Sequence, residues 1–162
     1  MLSAKMQDAL NGQLNAEAYS SYLYLAMAAH FDAANLPGFA HWMKIQSQEE
    51  MAHALKFYEH INDRRGRVTL AAIAVPPAEW KSPLGAFEDA LKHEQKVTGM
   101  IADLVKLAAA EKDDAAGIFL QWFVTEQVEE EKSADEIVHK LRLVGDSPQG
   151  LLLLDRELSQ RS

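Results

Sequence analysis

Residues 66–82 read GRVTLAAIAVPPAEWKS, and they separate two long helical patterns. The paired prolines, Pro76 and Pro77, rule out helix there, because each lacks an N–H and clashes with the preceding turn. On either side the punctuation is clear. Ser3 caps a first helix over about 4–33. Pro37, within NLPGF at 35–39, opens a second over about 37–65. Ser82 and Pro83 start a third over about 83–111. Asp113 or Asp114 starts a fourth over about 114–144, and Ser147–Pro148 a short fifth over about 148–159. Short joints make the first and second helices antiparallel, and likewise the third and fourth. The segment 66–82 is different. At ~3.3 Å per residue it reaches roughly 55 Å, whereas a helix of about 28 residues measures ~42 Å. It can therefore run the length of a bundle and let the second and third helices lie parallel. The expected fold is all-α: a single-domain four-helix bundle over 1–162 with one long crossover and a short C-terminal fifth helix. The competing arrangement is a plain up-and-down bundle with a long insert.

The bulk properties agree with a helical globule and exclude several functions. Hydrophobic residues make up 48% and charged residues 25%, with only 8 Gly and 5 Pro. There are no cysteines, so disulfides, thiolate metal sites and thiol nucleophiles are excluded. The composition fits a reducing compartment, and a cytoplasmic location is expected. MLSAKMQDALNGQ carries no apolar run of a secretory signal, and no stretch has the ~18–20 apolar residues of a membrane span. A net charge of −8 argues against nucleic acid and suits metal ions or cationic partners.

Reading each helix in steps of seven exposes the chemistry. The stripes are Leu10-Glu17-Tyr24-Phe31, Met43-Glu50-Phe57, Phe87-Glu94-Ile101 and Phe123-Glu130-Ile137-Val144. Each is a core stripe interrupted once, near mid-helix, by a glutamate. Midpoints lie at one level in a bundle whatever the helix direction, so the four carboxylates should converge. Four buried negative charges without partners would be very costly, which calls for cations between them or retained protons. Glu50 and His53 add the spacing E-x-x-H, with both side chains on one face of the second helix. A lone E-x-x-H is weak. In this stripe it is the ligand pattern of a di-iron or di-manganese bundle, and four glutamates balance two divalent ions.

Gln127, on the stripe Leu120-Gln127-Ala134-Leu141, offers a neutral group at the same level. The run EQVEEE at 126–131 then divides by helix angle. Glu130 faces the core, Glu126 lies about 40° away, Glu129 about 100° away, and Glu131 falls on the other, solvated flank. His30, His41, His60, His93 and His139 read as surface or structural, with His60, one heptad after His53, a candidate transit ligand. GLLLLDREL at 150–158 is apolar nearly all round and asks for burial.

NAEAYSSYLYLAMA around Glu17, LPGFAHWM, QEEMAH at 48–53, GRVTL, PPAEWKSPLGAFEDAL, HEQKVT around Glu94 and FLQWFVTEQVEEE together cover essentially the whole chain. They closely resemble the bacterial and archaeal non-haem ferritins. The resemblance implies an iron-storage protein of 24 copies in an octahedral shell. It implies ferroxidase activity, in which Fe(II) is oxidised by O2 or H2O2 at an intrasubunit dinuclear site. One iron matches Glu17, Glu50 and His53. The second matches Glu94 and Glu130, with Glu50 bridging and Gln127 nearby. A third iron site matches Glu49, Glu126 and Glu129 with Glu130 shared. Tyr24 matches a tyrosine beside the di-iron centre and Trp122 a nearby aromatic, either able to donate an electron.

The resemblance also sets expectations by its departures. Bacterioferritins carry a second E-x-x-H on the fourth helix, where this chain has Gln127-x-x-Glu130. That favours iron in transit over a permanent cofactor. Met51 stands where a bacterioferritin's haem-ligating methionine would, but a helical Met is usually packing, and no haem is expected. Two other functions fit less of the pattern. A non-storing di-iron oxidoreductase of the rubrerythrin or bacterioferritin kind would carry that second motif. A non-catalytic bundle would have no use for the four glutamates. In the family the fifth helix lies at the four-fold axis; the plainer expectation is that it packs on its own bundle.

Overall fold

A computed structural model describes residues 1–162. Five helices follow in order, α1 (Ala4–Ala33), α2 (Pro37–Asp63), α3 (Pro83–Ala110), α4 (Asp114–Val144) and α5 (Pro148–Leu158), with no strand. No helix is long and apolar enough to cross a membrane.

Local chemistry sets the boundaries. The side chains of Ser3, Ser82, Asp113 and Ser147 accept the N–H groups of Met6, Gly85, Ala116 and Gly150, satisfying donors that a helix start leaves free. The first three helices stop in a shared way. Asn35, Arg65 and Lys112 take left-handed conformations at φ 58°, 59° and 55°. The next N–H then reaches back five residues: Leu36 to Phe31 O at 3.0 Å, Gly66 to Ile61 O and Asp113 to Ala108 O at 2.8 Å. This is the Schellman closure, built here without glycine at the left-handed position. It ends α2 at Asp63, so Arg64 and Arg65 form the turn.

The crossover settles the topology. Asn11 on α1 donates to Arg67 O at 2.9 Å and accepts Thr69 N–H at 2.8 Å. At the other end the Trp80 ring packs edge-on against His30, near the C-terminus of α1. Residues 66–82 thus travel along α1 from its first turns to its last, and α3 starts at the far end of the bundle. α2 and α3 are parallel, as the crossover length allowed, and the plain up-and-down arrangement is not adopted. α1 and α2 are antiparallel and very close, because Ser21 and Ser47 each donate to the other's carbonyl at 2.7 Å.

α5 docks on the start of α2. A Cβ on Gly38 would lie 1.7 Å from Asp155 O, so only glycine allows this approach. The N-cap residue of α2, Leu36, makes no side-chain capping bond, and Asp155 Oδ1 instead accepts Phe39 N–H at 3.0 Å. α5 buries Leu154 and Leu158 on its own bundle, but Leu152 and Leu153 stay 62% and 68% exposed. The burial expected of an all-round apolar helix is therefore met on one face only.

The core is in two parts. One apolar cluster at the α5 end contains Phe31, Phe39, Trp42 and Phe87. The other, at the opposite end, contains Leu10, Phe57, Ile101 and Phe123. A layer of buried polar side chains lies between them.

Candidate metal centre

Each of the four long helices contributes to that layer. Glu17, Glu50, His53, Glu94, Gln127 and Glu130 are all buried. Three sets of potential ligand atoms each fall within 4.8 Å of one another: Glu17, Glu50 and His53; Glu50, Glu94 and Glu130; and His53, Glu126 and Glu130. Glu50 belongs to the first two sets, which is the geometry of a bridging carboxylate. His53 Nδ1 lies 3.2 Å from Glu50 Oε2 and 3.9 Å from Glu17 Oε2, and its Nε2 lies 3.9 Å from Glu126 Oε1. Glu17 Oε2 is buried with no hydrogen-bond partner. Such an orphaned oxygen, beside an imidazole and a second carboxylate, fits a ligand for a cation.

The electrostatics say the same. Burial first, and then the charge of Glu50, pushes the Glu17 carboxyl well up. Burial and the charges of Glu94 and Glu130 do so for Glu50. Glu94 is raised by burial despite donations from Tyr24 and Gln127. Glu130 is pushed up to about 8 by burial and the Glu94 charge, against the donation from Gln46. Near neutral pH Glu130 keeps a proton that a divalent ion would replace, and the upward push on its neighbours acts in the same direction.

Neighbouring amides orient the carboxylates. Gln13 Nε2 donates to Glu17 Oε1 at 2.8 Å. Gln46 Nε2 donates to Glu50 Oε1 at 3.0 Å and to Glu130 Oε2 at 2.6 Å. Gln127 Nε2 donates to Glu94 Oε2 and to its carbonyl, both at 3.1 Å, so it enters as a donor to a ligand. The Tyr24 hydroxyl also donates to Glu94. Burial, followed by the charge of Glu94, raises the Tyr24 phenol well above its ordinary range. Gln13 and Gln46 were not singled out from the sequence. The signal was present, since each stands four residues before a buried glutamate on the same helix.

Other residues separate by position. Glu126 joins His53 and Glu130 at the edge of the layer. Glu49 is half-buried and pairs with Arg161 at 2.7 Å, and Glu129 is exposed; neither joins the convergent sets. Glu131 departs from the solvated flank expected of it: it is half-buried and accepts the Thr98 hydroxyl at 2.9 Å, because that flank faces α3. Trp122 packs edge-on against His53, with centroids 5.4 Å apart. His60 stacks flat on Phe119 at 4.0 Å and stands outside the ligand sets. His93 is partnered by Ser20 Oγ at 2.7 Å and meets Tyr24 edge-on. Met51 is half in solvent.

The chain as a whole is similar to known proteins. The ferritin-like domain family matches residues 7–144. A bacterial non-heme ferritin of Bacteroides fragilis is 47% identical over 161 residues, covering 99% of this chain and 100% of that one. One from Staphylococcus haemolyticus is 41% identical over 162 residues, covering 100% and 98%. Among solved structures, an open pore ferritin from the hyperthermophilic archaeon Archaeoglobus fulgidus superposes with a TM-score of 0.99 at 54% identity, covering both chains fully.

Proposed function

The chain belongs to the ferritin family, and on that footing we propose that it stores iron, oxidising Fe(II) with O2 or H2O2 at the buried carboxylate layer and gathering the ferric product inside a shell of 24 copies. The observation that carries this reading is the pair of ligand sets sharing Glu50. Four acids match two divalent ions in charge, and oxygen ligands with one imidazole suit iron. Glu17, Glu50 and His53 hold one ion. Glu94 and Glu130 hold the other, with Glu50 between them.

Binding displaces the protons that burial keeps on these acids. Two Fe(II) then give one electron each to O2, which takes up two protons and leaves as hydrogen peroxide; a further pair reduces peroxide to water. Each ferric ion carries one more positive charge, which hydroxide from water neutralises. The product is then held less tightly by the fixed carboxylates. Gln127 supports such transit, since it supplies a neutral donor where a second E-x-x-H would supply a ligand. Tyr24, bonded to Glu94, and Trp122, against His53, are the groups able to lend a further electron. Glu49, Glu126 and Glu129 with Glu130 are the acids for a third ion, and Glu126 is the one in contact range of the centre.

Storage needs an enclosed space. Support for assembly comes from apolar side chains left on the outside, including Tyr22, Leu25, Leu152 and Leu153. An apolar groove of about 320 Å3, lined by Met51, Leu55, Leu70 and Ile73, adds to this. The test combines size and turnover. A shell of 24 copies has a mass of about 430 kDa against 18.1 kDa for one chain. Aerobic Fe(II) addition, followed in the ultraviolet, should show rapid oxidation that Glu50→Ala or His53→Ala slows greatly. Unchanged initial rates in both variants refute the assignment.

A further inference from the structure

The residues after α5 fold back onto α2 and reach the side chains that border the centre. His41 Nε2 lies 2.6 Å from the Arg161 carbonyl, and the Arg161 guanidinium sits over the Trp42 ring, 4.2 Å from its centroid. One guanidinium nitrogen donates to Trp42 O at 3.1 Å. The other donates to Gln46 Oε1 at 2.9 Å and Glu49 Oε2 at 2.7 Å. Gln46 is fully buried, and its far end donates to both Glu50 and Glu130. An amide whose oxygen is claimed by an arginine must present its N–H groups on the other side. Arg161 therefore lies two hydrogen bonds from the bridging carboxylate of the centre.

Its surroundings are strongly negative. Burial, and then the charges of Glu129 and Glu49, push the Glu126 carboxyl up against the pull of His53. Glu49 also acts on Glu130. The Arg161 side chain, only 20% exposed, sits at this acidic edge as a fixed cation.

We propose that Arg161 is a positioning residue that holds the Glu130 side of the centre in its metal-free arrangement, by keeping Glu49 for itself and by locking the Gln46 amide onto Glu50 and Glu130. The inference rests on reading the carboxylate layer as a metal centre. A metal ion settling beside Glu130 must compete with the Gln46 donor for two carboxylates, and with a guanidinium for Glu49. At Glu17 and His53 the Gln13 donor engages only Glu17 Oε1, Glu17 Oε2 has no partner, and no guanidinium holds a carboxylate there. The two halves are thus made unequal: firm binding on the His53 side, easy release on the Glu130 side. Charge-assisted bonds are the strong ones, so their loss should be visible in affinity.

The test is calorimetric titration of the metal-free protein with Zn(II), which binds such ligands and is not oxidised. The wild type should show a tight event, lost in His53→Ala, and a weaker one. Arg161→Gln should tighten the weaker event about tenfold or more and leave the tight event within a factor of about two. Arg161→Lys, which keeps the charge, should stay within about threefold of the wild type. In a Glu49→Gln background the Arg161→Gln gain should shrink. A weaker event that is unchanged or further weakened in Arg161→Gln, beside a normal tight event, overturns this inference alone. So does an equal gain in Arg161→Lys, which would mean only that the tail had come loose. Absence of any Zn(II) event in the wild type overturns the metal-centre reading and this inference together.

Discussion

Replacing Glu130 by glutamine should make the metal-free protein more stable at alkaline pH and leave it nearly unchanged in acid. Burial and the Glu94 charge lift the Glu130 carboxyl from its ordinary 4.5 to about 8. Between those values the folded chain holds a proton that the unfolded chain has released. The stabilising contribution is complete below 4.5 and is lost as pH rises through 8. At ~1.4 kcal/mol per pH unit, the loss from this one group is roughly 3 kcal/mol at pH 7 and roughly 5 kcal/mol above pH 8. Glutamine has the same shape and no charge, and its amide oxygen can still accept from Gln46. The assay is urea unfolding of metal-free protein in the presence of a chelator, from pH 5 to 9 at fixed concentration. Wild type and Glu130→Gln should agree within about 1 kcal/mol at pH 5 and diverge in favour of the variant by about 3 to 5 kcal/mol at pH 8. Zn(II) at pH 8 should restore the wild type and do much less for the variant. A variant no more stable than wild type at pH 8, or a gap that does not widen with pH, refutes the argument that this carboxylate is buried against its own charge.

Three further outcomes follow from the frame around the centre. Gly38→Ala puts a methyl group 1.7 Å from Asp155 O, so α5 must lift; losing the burial of Leu154 and Leu158 should destabilise the fold by about 3 kcal/mol or more, with faster proteolysis at α5. Lys112→Gly relieves a left-handed non-glycine residue at φ 55° and should raise stability by about 1 kcal/mol, read as a higher urea midpoint at constant slope. Asp113→Ala removes both the α4 cap and the bidentate Arg64 pair, at 2.9 and 3.1 Å; a cost of about 2 kcal/mol in urea unfolding is expected.

Much of the arrangement could be read from the chain alone, and for physical reasons. Helix periodicity is local, so a glutamate at mid-stripe in each of four helices already implied a shared layer. Pro76 and Pro77 broke the helix locally, and the reach of 66–82 allowed a crossover along the whole bundle, with a plain up-and-down bundle as the competing arrangement. The supporting contacts were less legible. Gln13 and Gln46 carry an i−4 signal, but a glutamine on a helix is usually solvated, and only neighbouring helices make it a buried donor. Glu131 was misread because helix angle tells which way a side chain points without telling what stands there; α3 and Thr98 do.

What the sequence determined by itself was the set of four long helices, their order, and the level at which Glu17, Glu50, Glu94 and Glu130 meet. Those depend on spacing and chain length. Only the tertiary structure decided that Asp155 caps α2 across Gly38, and that Arg161 reaches Gln46 and Glu49 from more than a hundred residues away. Such contacts leave no periodic trace, because they are made where one element's end meets another's side.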